Sequence, residues 1–412
     1  MPTLTATLHK FREYITYVVA IFFLLPMLWV SYLIAIWGLV CLALIFTHIK
    51  QIKKVDLLNT FLYSSLFLLL VISIQLHGGD GNSIMERAMS FAVFPLCIFL
   101  SIFKLKKEEL IRVTWVSLIG CCLLAIKGPL MYLFVGLHFP YTSQHDFIYR
   151  YRTEFNANTE ISPTYACIYF GFAIVLVLIQ MKEFVKKRAL LFIMMGVLLF
   201  NMILLSAKMP LMATAIVLFI LFVRNQISIR TGWIRNVWVA SSIVIVAIVG
   251  LLFLTRWGEF ITGFRSDSSN AKENTLDVRR MITQCDLELG AKYFLTGVGP
   301  QHLQTKLNQC YYQFEGSALE RNKFNTHNQY FDYLLSHGII GLILLLLVMI
   351  VPLYKSIRNG DPVLMSFIIL ILLCMLTENI LSRQGGIVFY AFFNALLLNR
   401  KIESVPKVLL AS

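Results

Sequence analysis

Residues 325–347 read NTHNQYFDYLLSHGIIGLILLLL, so a polar cluster containing His327 and Asn328 directly precedes a strongly apolar helix. Gly338 and Gly341 follow further along the same helix. A neutral histidine can take a proton from an attacking hydroxyl, which is the task of a general base. In the alternative interpretation, His327 and Asn328 simply cap the helix where it meets water. Position by itself leaves both interpretations open.

Cationic side chains that suit a diphosphate occur in polar segments between the apolar runs. They are Arg87, Lys208, Arg279, Arg280 and Arg383. Arginine binds phosphate through two parallel N–H groups, whereas lysine acts as a point charge. Gathered around one cavity, these side chains would hold a lipid diphosphate. Taken singly, each has a structural explanation, such as an ion pair, a headgroup contact or a snorkelling side chain.

Metal-ligand patterns are missing from the sequence. There is no D-x-D motif and no C-x-x-C pair, and carboxylates such as Glu259, Asp277 and Glu315 are scattered. We therefore expect neither a metal site nor a cofactor. The segment TGVGP at 296–300 is glycine-rich enough for an anion-binding turn before a helix, although an ordinary turn explains it as well.

The composition indicates that helices in a membrane position these residues. Of the 412 residues, 58% are hydrophobic and 14% are charged, whereas soluble domains have about a quarter charged residues. A span needs roughly 20 apolar residues, and the apolar stretches are too many and too long for one buried core. We predict an all-α polytopic membrane protein with about twelve spans, near residues 14–26, 29–47, 57–76, 84–103, 113–135, 161–180, 188–205, 209–223, 236–255, 328–354, 362–380 and 386–399.

Basic clusters between the spans predict the topology. More than half of the 36 Lys and Arg residues lie in the two termini and in the joints at 48–56, 104–112, 181–188, 224–235 and 355–361. Cytoplasmic joints are enriched in Lys and Arg, so we expect both termini to be cytoplasmic. These joints also account for the net charge of +14, and we expect no nucleic-acid partner.

Two longer segments, 136–160 and 256–329, fall on the opposite, outer side in this topology. Residues 1–255 are thus predicted to contain nine spans, residues 256–329 a large periplasmic loop with catalytic elements, and residues 330–412 three spans and a cytoplasmic tail. The loop's apolar residues recur at helical spacing and predict a small helical cap, as Met281, Cys285 and Leu289 and then as Leu303, Leu307 and Tyr311.

Cys285 and Cys310 both fall in the predicted cap. The outer compartment is oxidising, so the two cysteines can pair as a disulfide. The sequence leaves open whether they do. The other six cysteines lie in apolar runs, where a thiol is usually a small packing residue.

The spacing of His327, Asn328, Gly338 and Gly341 resembles the signature of bacterial O-antigen ligases. In that signature His precedes Asn, Ser or Gln, nine residues follow, and then come Gly, two residues and Gly, Thr or Tyr. Residues 277–299 are similar to the family's Arg-containing helix that leads to Gly-x-Gly, and the resemblance aligns the family arginine with the first arginine of this stretch, at position 279.

Other stretches extend the resemblance over about residues 80–400, with similar segments at 162–172 and 204–210. Two positions depart from the family pattern. Lys208 stands where the family usually has arginine, which keeps the charge but loses the two-pronged geometry. Thr283 stands where the family usually has tryptophan.

The resemblance implies a metal-independent, inverting glycosyltransferase of the bacterial inner membrane whose site faces the periplasm. Its donor would be a glycan on undecaprenyl diphosphate, and membrane lipids would surround it. A ligase passes this glycan to a lipid A–core acceptor, whereas an O-antigen polymerase passes it to another lipid-linked glycan. We favour the ligase, and the polymerase stays open. A transporter of lipid-linked glycans is the alternative from a different class, although ionisable residues would then be expected at mid-membrane.

The residues take roles accordingly. His327 is predicted to be the general base and Arg279 to hold the diphosphate, both as catalytic residues. The predicted substrate-binding residues are Lys208, Arg280, Asn328, Arg87 and Arg383. The sequence does not indicate the glycan, the acceptor sugar or the oligomeric state.

Overall fold

The computed structural model describes residues 2–101, 107–135, 144–181, 184–226, 275–314 and 324–400. Within these ranges the chain is helical and has no strand, as predicted for an all-α protein. The helices are α1 (Pro2–Val19), α2 (Met27–His48), α3 (Lys54–His77), α4 (Asn82–Ala88), α5 (Ser90–Leu100), α6 (Lys107–Val135), α7 (Gln144–Thr159), α8 (Pro163–Gln180), α9 (Arg188–Leu205), α10 (Lys208–Gln226), α11 (Thr275–Lys292), α12 (Leu303–Tyr311), α13 (Gln329–Arg358), α14 (Pro362–Cys374) and α15 (Gln384–Leu398).

Seven stretches in the described ranges are long and apolar enough to cross a membrane. They are α2, α3, the pair α4–α5, α6, α8, α9 and α13, while α14 and α15 are shorter apolar helices. The prediction of a multi-pass membrane protein is confirmed. The predicted span at 236–255 lies outside the described residues, and the count of twelve spans stays a prediction.

The start of the chain differs from the prediction of a span at 14–26. Helix α1 ends at Val19, a short 3-10 turn follows at Phe22–Leu24, and α2 begins only at Met27. Pro26 occupies the N-cap position of α2. Proline disfavours helical backbone in the residue before it, so the apolar run is split between a helix end and a turn.

Helix α8 lies at the centre of the bundle. Nearly all of its residues are buried, and it packs against α6, α9, α10 and α14. The Phe172 ring lies 4.9 Å from the Phe367 ring of α14 and 5.3 Å from the Phe393 ring of α15, measured between centroids. A helix that is apolar all round is expected in such a buried position. The first residues of α8 lie at the end of the bundle that contains His327.

Helices α11 and α12 form the predicted cap. Their inward residues Ile282, Leu307 and Tyr311 share a small core with Leu335 of α13. Cys285 and Cys310 form a disulfide, which answers the question that the sequence left open. Because Leu335 belongs to this core, the cap is fastened to the helix that begins directly after His327.

Different polar side chains lie at the two ends of the helix bundle. At one end Lys355 Nζ donates to Asn59 Oδ1, and Asn399 Nδ2 donates to the Ile98 carbonyl. His327 and the start of α13 lie at the other end, the His327 end. The predicted alternation of spans stays a prediction. The compartment that each end faces stays a prediction.

Candidate functional site

Asn328 caps helix α13. Its Oδ1 accepts the Tyr330 N–H at 2.9 Å and the Phe331 N–H at 3.3 Å, which satisfies two amides that a helix start otherwise leaves unpaired. The capping interpretation is therefore right for Asn328. Its side-chain oxygen is committed to the helix, so its predicted role in substrate binding would rest on Nδ2.

His327 is held in an unusual backbone conformation just before that cap. Its φ angle is +47°, in the left-handed region that residues with a Cβ rarely adopt, and its N–H donates to Asn325 Oδ1 at 3.0 Å. Its Nδ1 is buried and has no hydrogen-bond partner among the residues that the structure describes. An unpaired ring nitrogen at a strained position is the kind of group that a substrate can engage.

Electrostatics keep the His327 ring neutral. Burial, and after it the positive charges of Arg279 and Arg383, lower the pKa of His327 to about 4. At neutral pH the imidazole is therefore unprotonated and can accept a proton. The sequence predicts that the same two arginines bind an anionic substrate.

A polar network ties the His327 segment to residues 375–383. Thr326 Oγ1 lies 3.1 Å from Asn379 Oδ1, and Asn379 Nδ2 donates to Asp332 Oδ1 at 3.0 Å. Ser382 Oγ donates to Asp332 Oδ2 at 2.9 Å. The predicted span at 362–380 is wrong at its end, because α14 stops at Cys374 and this irregular segment follows. The network holds that segment beside the start of α13.

Glu378, on the same segment, is surrounded by arginines. Burial raises the pKa of the Glu378 carboxyl, and the charges of Arg279, Arg383 and, more weakly, Arg152 oppose that rise. Thr164 Oγ1 donates to Glu378 Oε1 at 3.4 Å. Sequence reasoning missed Arg152, which α7 carries. The sequence feature that could have identified Arg152 is the basic stretch RYR, which lies in a segment predicted to be on the outer side.

A cavity of about 280 Å³ adjoins the network. Arg87 and Arg383 both line it, so the structure brings together two of the predicted cations. Arg87 Nε donates to the Ser83 carbonyl one turn earlier in α4. Arg383 also lines a second cavity, of about 500 Å³, together with Arg152. Arg383 thus lies between two cavities.

Lys208 and Arg280 complete the predicted set. Lys208 is exposed and begins α10 after a tight turn in which Ser206 has a φ of +49°. Arg280 is exposed beside Arg279 on α11. The charges that lower the pKa of His327 are those of Arg279 and Arg383. The binding roles of Lys208 and Arg280 stay predictions.

The TGVGP segment is a turn docked into a break in α13. Gly338 has a φ of +69° and a ψ of −167°, which interrupts the helix. The Val298 N–H donates to the Leu335 carbonyl at 2.7 Å, and the Gly299 N–H donates to the Ser336 carbonyl at 3.1 Å. These amides are committed within the protein. The interpretation as an anion-binding turn is therefore wrong.

Glycine at positions 297 and 338 permits this close docking. A Cβ on Gly297 would lie 2.6 Å from the backbone nitrogen of Gly338, and a Cβ on Gly341 would lie 2.3 Å from His337 Cβ. Contacts that short do not occur between real atoms. Gly338 therefore serves backbone packing between α13 and the cap, whereas Gly341 leaves room within α13 for the His337 side chain.

The carboxylates and histidines of the described ranges do not form a metal-ligand cluster. Across the described ranges, no group of three or more His, Cys, Asp or Glu side chains could hold a metal ion. Glu259 and Glu315 lie outside those ranges. Metal independence therefore stays a prediction.

Residues 200–346 match the family model Wzy_C, described as O-antigen ligase. The matched region contains Lys208, Arg279, His327 and the signature glycines, whereas Arg87 and Arg383 lie outside it. The predicted resemblance to the O-antigen ligase and polymerase family is confirmed. No curated protein matches the chain.

Proposed function

We propose that the protein is a glycosyltransferase that uses a lipid-linked glycan as donor, because residues 200–346 match the family model described as O-antigen ligase. The donor glycan is carried on undecaprenyl diphosphate, and the acceptor is a sugar of lipid A–core. The observation that carries this proposal is a neutral, unpaired His327 within the field of Arg279 and Arg383. The base can take the proton of the attacking hydroxyl, and the cations can stabilise the negative charge of the leaving diphosphate.

His327 accepts the proton of the acceptor hydroxyl while that oxygen attacks the anomeric carbon of the donor sugar. A new carbon–oxygen bond forms as the bond to the diphosphate oxygen breaks. Undecaprenyl diphosphate leaves with the electron pair, and attack from the opposite face inverts the anomeric configuration. The negative charge that develops on the diphosphate is balanced by Arg279 and Arg383. No divalent metal takes part.

The remaining cations extend the diphosphate site. Lys208, at the start of α10, and Arg280, next to Arg279 on α11, assist Arg279, and Arg87 contributes from the cavity that it shares with Arg383. Asn328 contributes mainly by fixing the start of α13, and its Nδ2 is the group that would bind substrate. Guanidinium groups suit this task because they bind phosphate oxygens in pairs.

The reaction belongs at the outer surface of the bacterial inner membrane. Both substrates are lipid-anchored, so their reacting sugars meet at the boundary between lipid and water. The joints at 48–56 and 355–361 lie at the other end of the bundle, where Lys355 Nζ donates to Asn59 Oδ1, and the positive-inside rule assigns that end to the cytoplasm. With this orientation the His327 end faces the periplasm and both termini are cytoplasmic.

Glycan analysis of a strain that lacks this gene tests the proposal. The deletion strain is complemented with the wild-type chain or with His327→Ala, and glycans are blotted from lipid A and from lipid-linked fractions. Loss of polymer from lipid A, with lipid-linked polymer accumulating, indicates the ligase. Lipid A that carries a single repeat indicates the polymerase, the second candidate. Unchanged glycans in both fractions would contradict both, and lipid-linked glycan retained on the cytoplasmic side would indicate a transporter.

A further inference from the structure

The cavity of about 280 Å³ beside α13 contains two polar groups that the proposed reaction does not use. They are Asp332 and His337, which lie on successive turns of α13. Polar groups at membrane depth are costly unless they face protein partners or a wet cavity, so an unused pair inside a cavity points to a ligand.

His337 supplies the first observation. Its side chain is only 8% exposed, it lines the cavity, and its Nδ1 has no hydrogen-bond partner among the described residues. The break at Gly338 explains its position, because the docked turn at 296–300 fixes the backbone on either side. A buried ring nitrogen of this kind is satisfied when a ligand donates to it or accepts from it.

Asp332 supplies the second observation. Asn379 Nδ2 donates to Oδ1, and Gln329 Nε2 and Ser382 Oγ donate to Oδ2 at 3.1 Å and 2.9 Å. A carboxylate offers about four acceptor positions, so one position on Oδ1 remains for a ligand hydroxyl. All three donors are neutral groups.

The chemistry of the walls selects the ligand. Asn325 and Gln304 add carboxamides, and Phe91 and Tyr333 add aromatic surface. Acceptors, donors and ring faces together match a sugar ring, whose hydroxyls both donate and accept. Arg87 and Arg383 also line the cavity, and their guanidinium groups can donate to sugar hydroxyls as well as to phosphate oxygens. The volume is near the lower limit of small-molecule pockets, roughly 300 Å³, which suits about one sugar unit.

We infer that this cavity is a sugar subsite, in which Asp332 and His337 bind the hydroxyls of one neutral pyranose unit of a lipid-linked glycan. The inference rests on the proposed function and adds to it the part of the substrate that is recognised. The pyranose comes from the donor glycan or from the acceptor core. Arg383 lies at the boundary between this subsite and the arginine cluster.

Protection of an introduced cysteine tests the inference and leaves the three hydrogen bonds of Asp332 in place. Gln304→Cys places a thiol on the cavity wall, and Gln309→Cys places one on the exposed face of the same helix as a matched control. The six free cysteines of the chain are buried. Each variant, purified in lipid nanodiscs, is labelled with a charged methanethiosulfonate reagent in the presence of lipid-linked donor glycan, lipid A–core or bare undecaprenyl diphosphate.

One of the two sugar-bearing lipids should slow labelling of Gln304→Cys about tenfold at roughly ten times its Kd, and which one does so identifies the source of the pyranose. Labelling of Gln309→Cys should not change. Adding Asp332→Asn should weaken this protection while binding of bare undecaprenyl diphosphate is retained. Protection by neither sugar-bearing lipid, or equal protection by bare undecaprenyl diphosphate, would overturn the inference.

The outcome is separable from that of the proposed function. If His327→Ala still transfers glycan while sugar-dependent protection persists, the assignment of the base is wrong and the subsite stands. If His327→Ala abolishes transfer and protection is absent, the proposed function stands and the subsite is wrong.

Discussion

Gly338 and Leu295 approach so closely that a Cβ on Gly338 would lie 2.1 Å from the Leu295 carbonyl oxygen. One residue further on, the Ile339 N–H donates to the Phe294 carbonyl at 2.8 Å. The turn that follows α11 is thereby inserted into the break of α13. The helix that carries Arg279 and the helix that follows His327 are fastened to each other at this contact.

Gly338→Ala should disrupt this fastening. The new methyl group clashes with backbone, and φ is positive, so we expect a destabilisation of about 2–5 kcal/mol and loss of transfer. Gly196→Ala is the matched control, because a Cβ there meets nothing within 4 Å and alanine favours helix. Melting temperatures of both variants in detergent check this. Equal melting temperatures for Gly338→Ala and wild type would contradict it.

His327→Ala should abolish glycan transfer while the protein still inserts and is expressed. A general base contributes roughly 10²–10⁴-fold to the rate, so the loss should fall in that range or above it. His302→Ala is the control, because that ring contacts the Gly78 carbonyl, at 3.0 Å, outside the His327 segment. Transfer is measured with purified protein, donor and acceptor. Near-normal rates in a well-expressed His327→Ala would reject the assignment.

Arg279→Lys should be strongly impaired, because one ammonium group cannot replace two parallel guanidinium donors. Arg280→Lys should be affected less, since the positive charge that acts to lower the pKa values of His327 and Glu378 belongs to Arg279. Lys208→Arg should be tolerated, because it restores the residue usual in the family. The Kd for undecaprenyl diphosphate checks all three. An unchanged Kd in Arg279→Ala would mean that another residue holds the phosphates.

The acid limb of kcat/KM should lie near pH 4, because the pKa of His327 is lowered to about 4 and the base is lost only when the ring is protonated. An ordinary histidine would give a limb near pH 6.5. Arg383→Gln removes a positive charge that disfavours the imidazolium, so its limb should move to higher pH. A limb at pH 6.5 in the wild type, or a shift to lower pH in Arg383→Gln, would speak against this electrostatic role.

Transfer should persist in excess EDTA. The diphosphate charge is balanced by arginine side chains in the proposed reaction, and chelators do not remove them. The assay uses purified protein with lipid-linked donor and acceptor, with and without added Mg²⁺ or Mn²⁺. Activity that is lost on chelation and restored by either ion would show that a carboxylate of the long loop binds metal.

The local features of this chain follow from its sequence. Apolar runs of membrane length predict the helices, and apolar residues at helical spacing predict both cap helices. The spacing of His327, Asn328 and the two glycines predicts the family. These patterns are readable because each depends on periodicity, length or fixed spacing along one stretch of chain.

Contacts between distant segments required the tertiary structure. The sequence treated residues 362–380 as one span, and only the bonds of Asp332 to Asn379 and Ser382 show why the chain leaves the helix at Cys374. The αL backbone of His327, the position of Arg152 and the pairing of Cys285 with Cys310 were likewise decided there. Hydrogen bonds and electrostatic interactions between residues far apart in the chain depend on which helices pack side by side. They therefore produce no periodic pattern in the sequence.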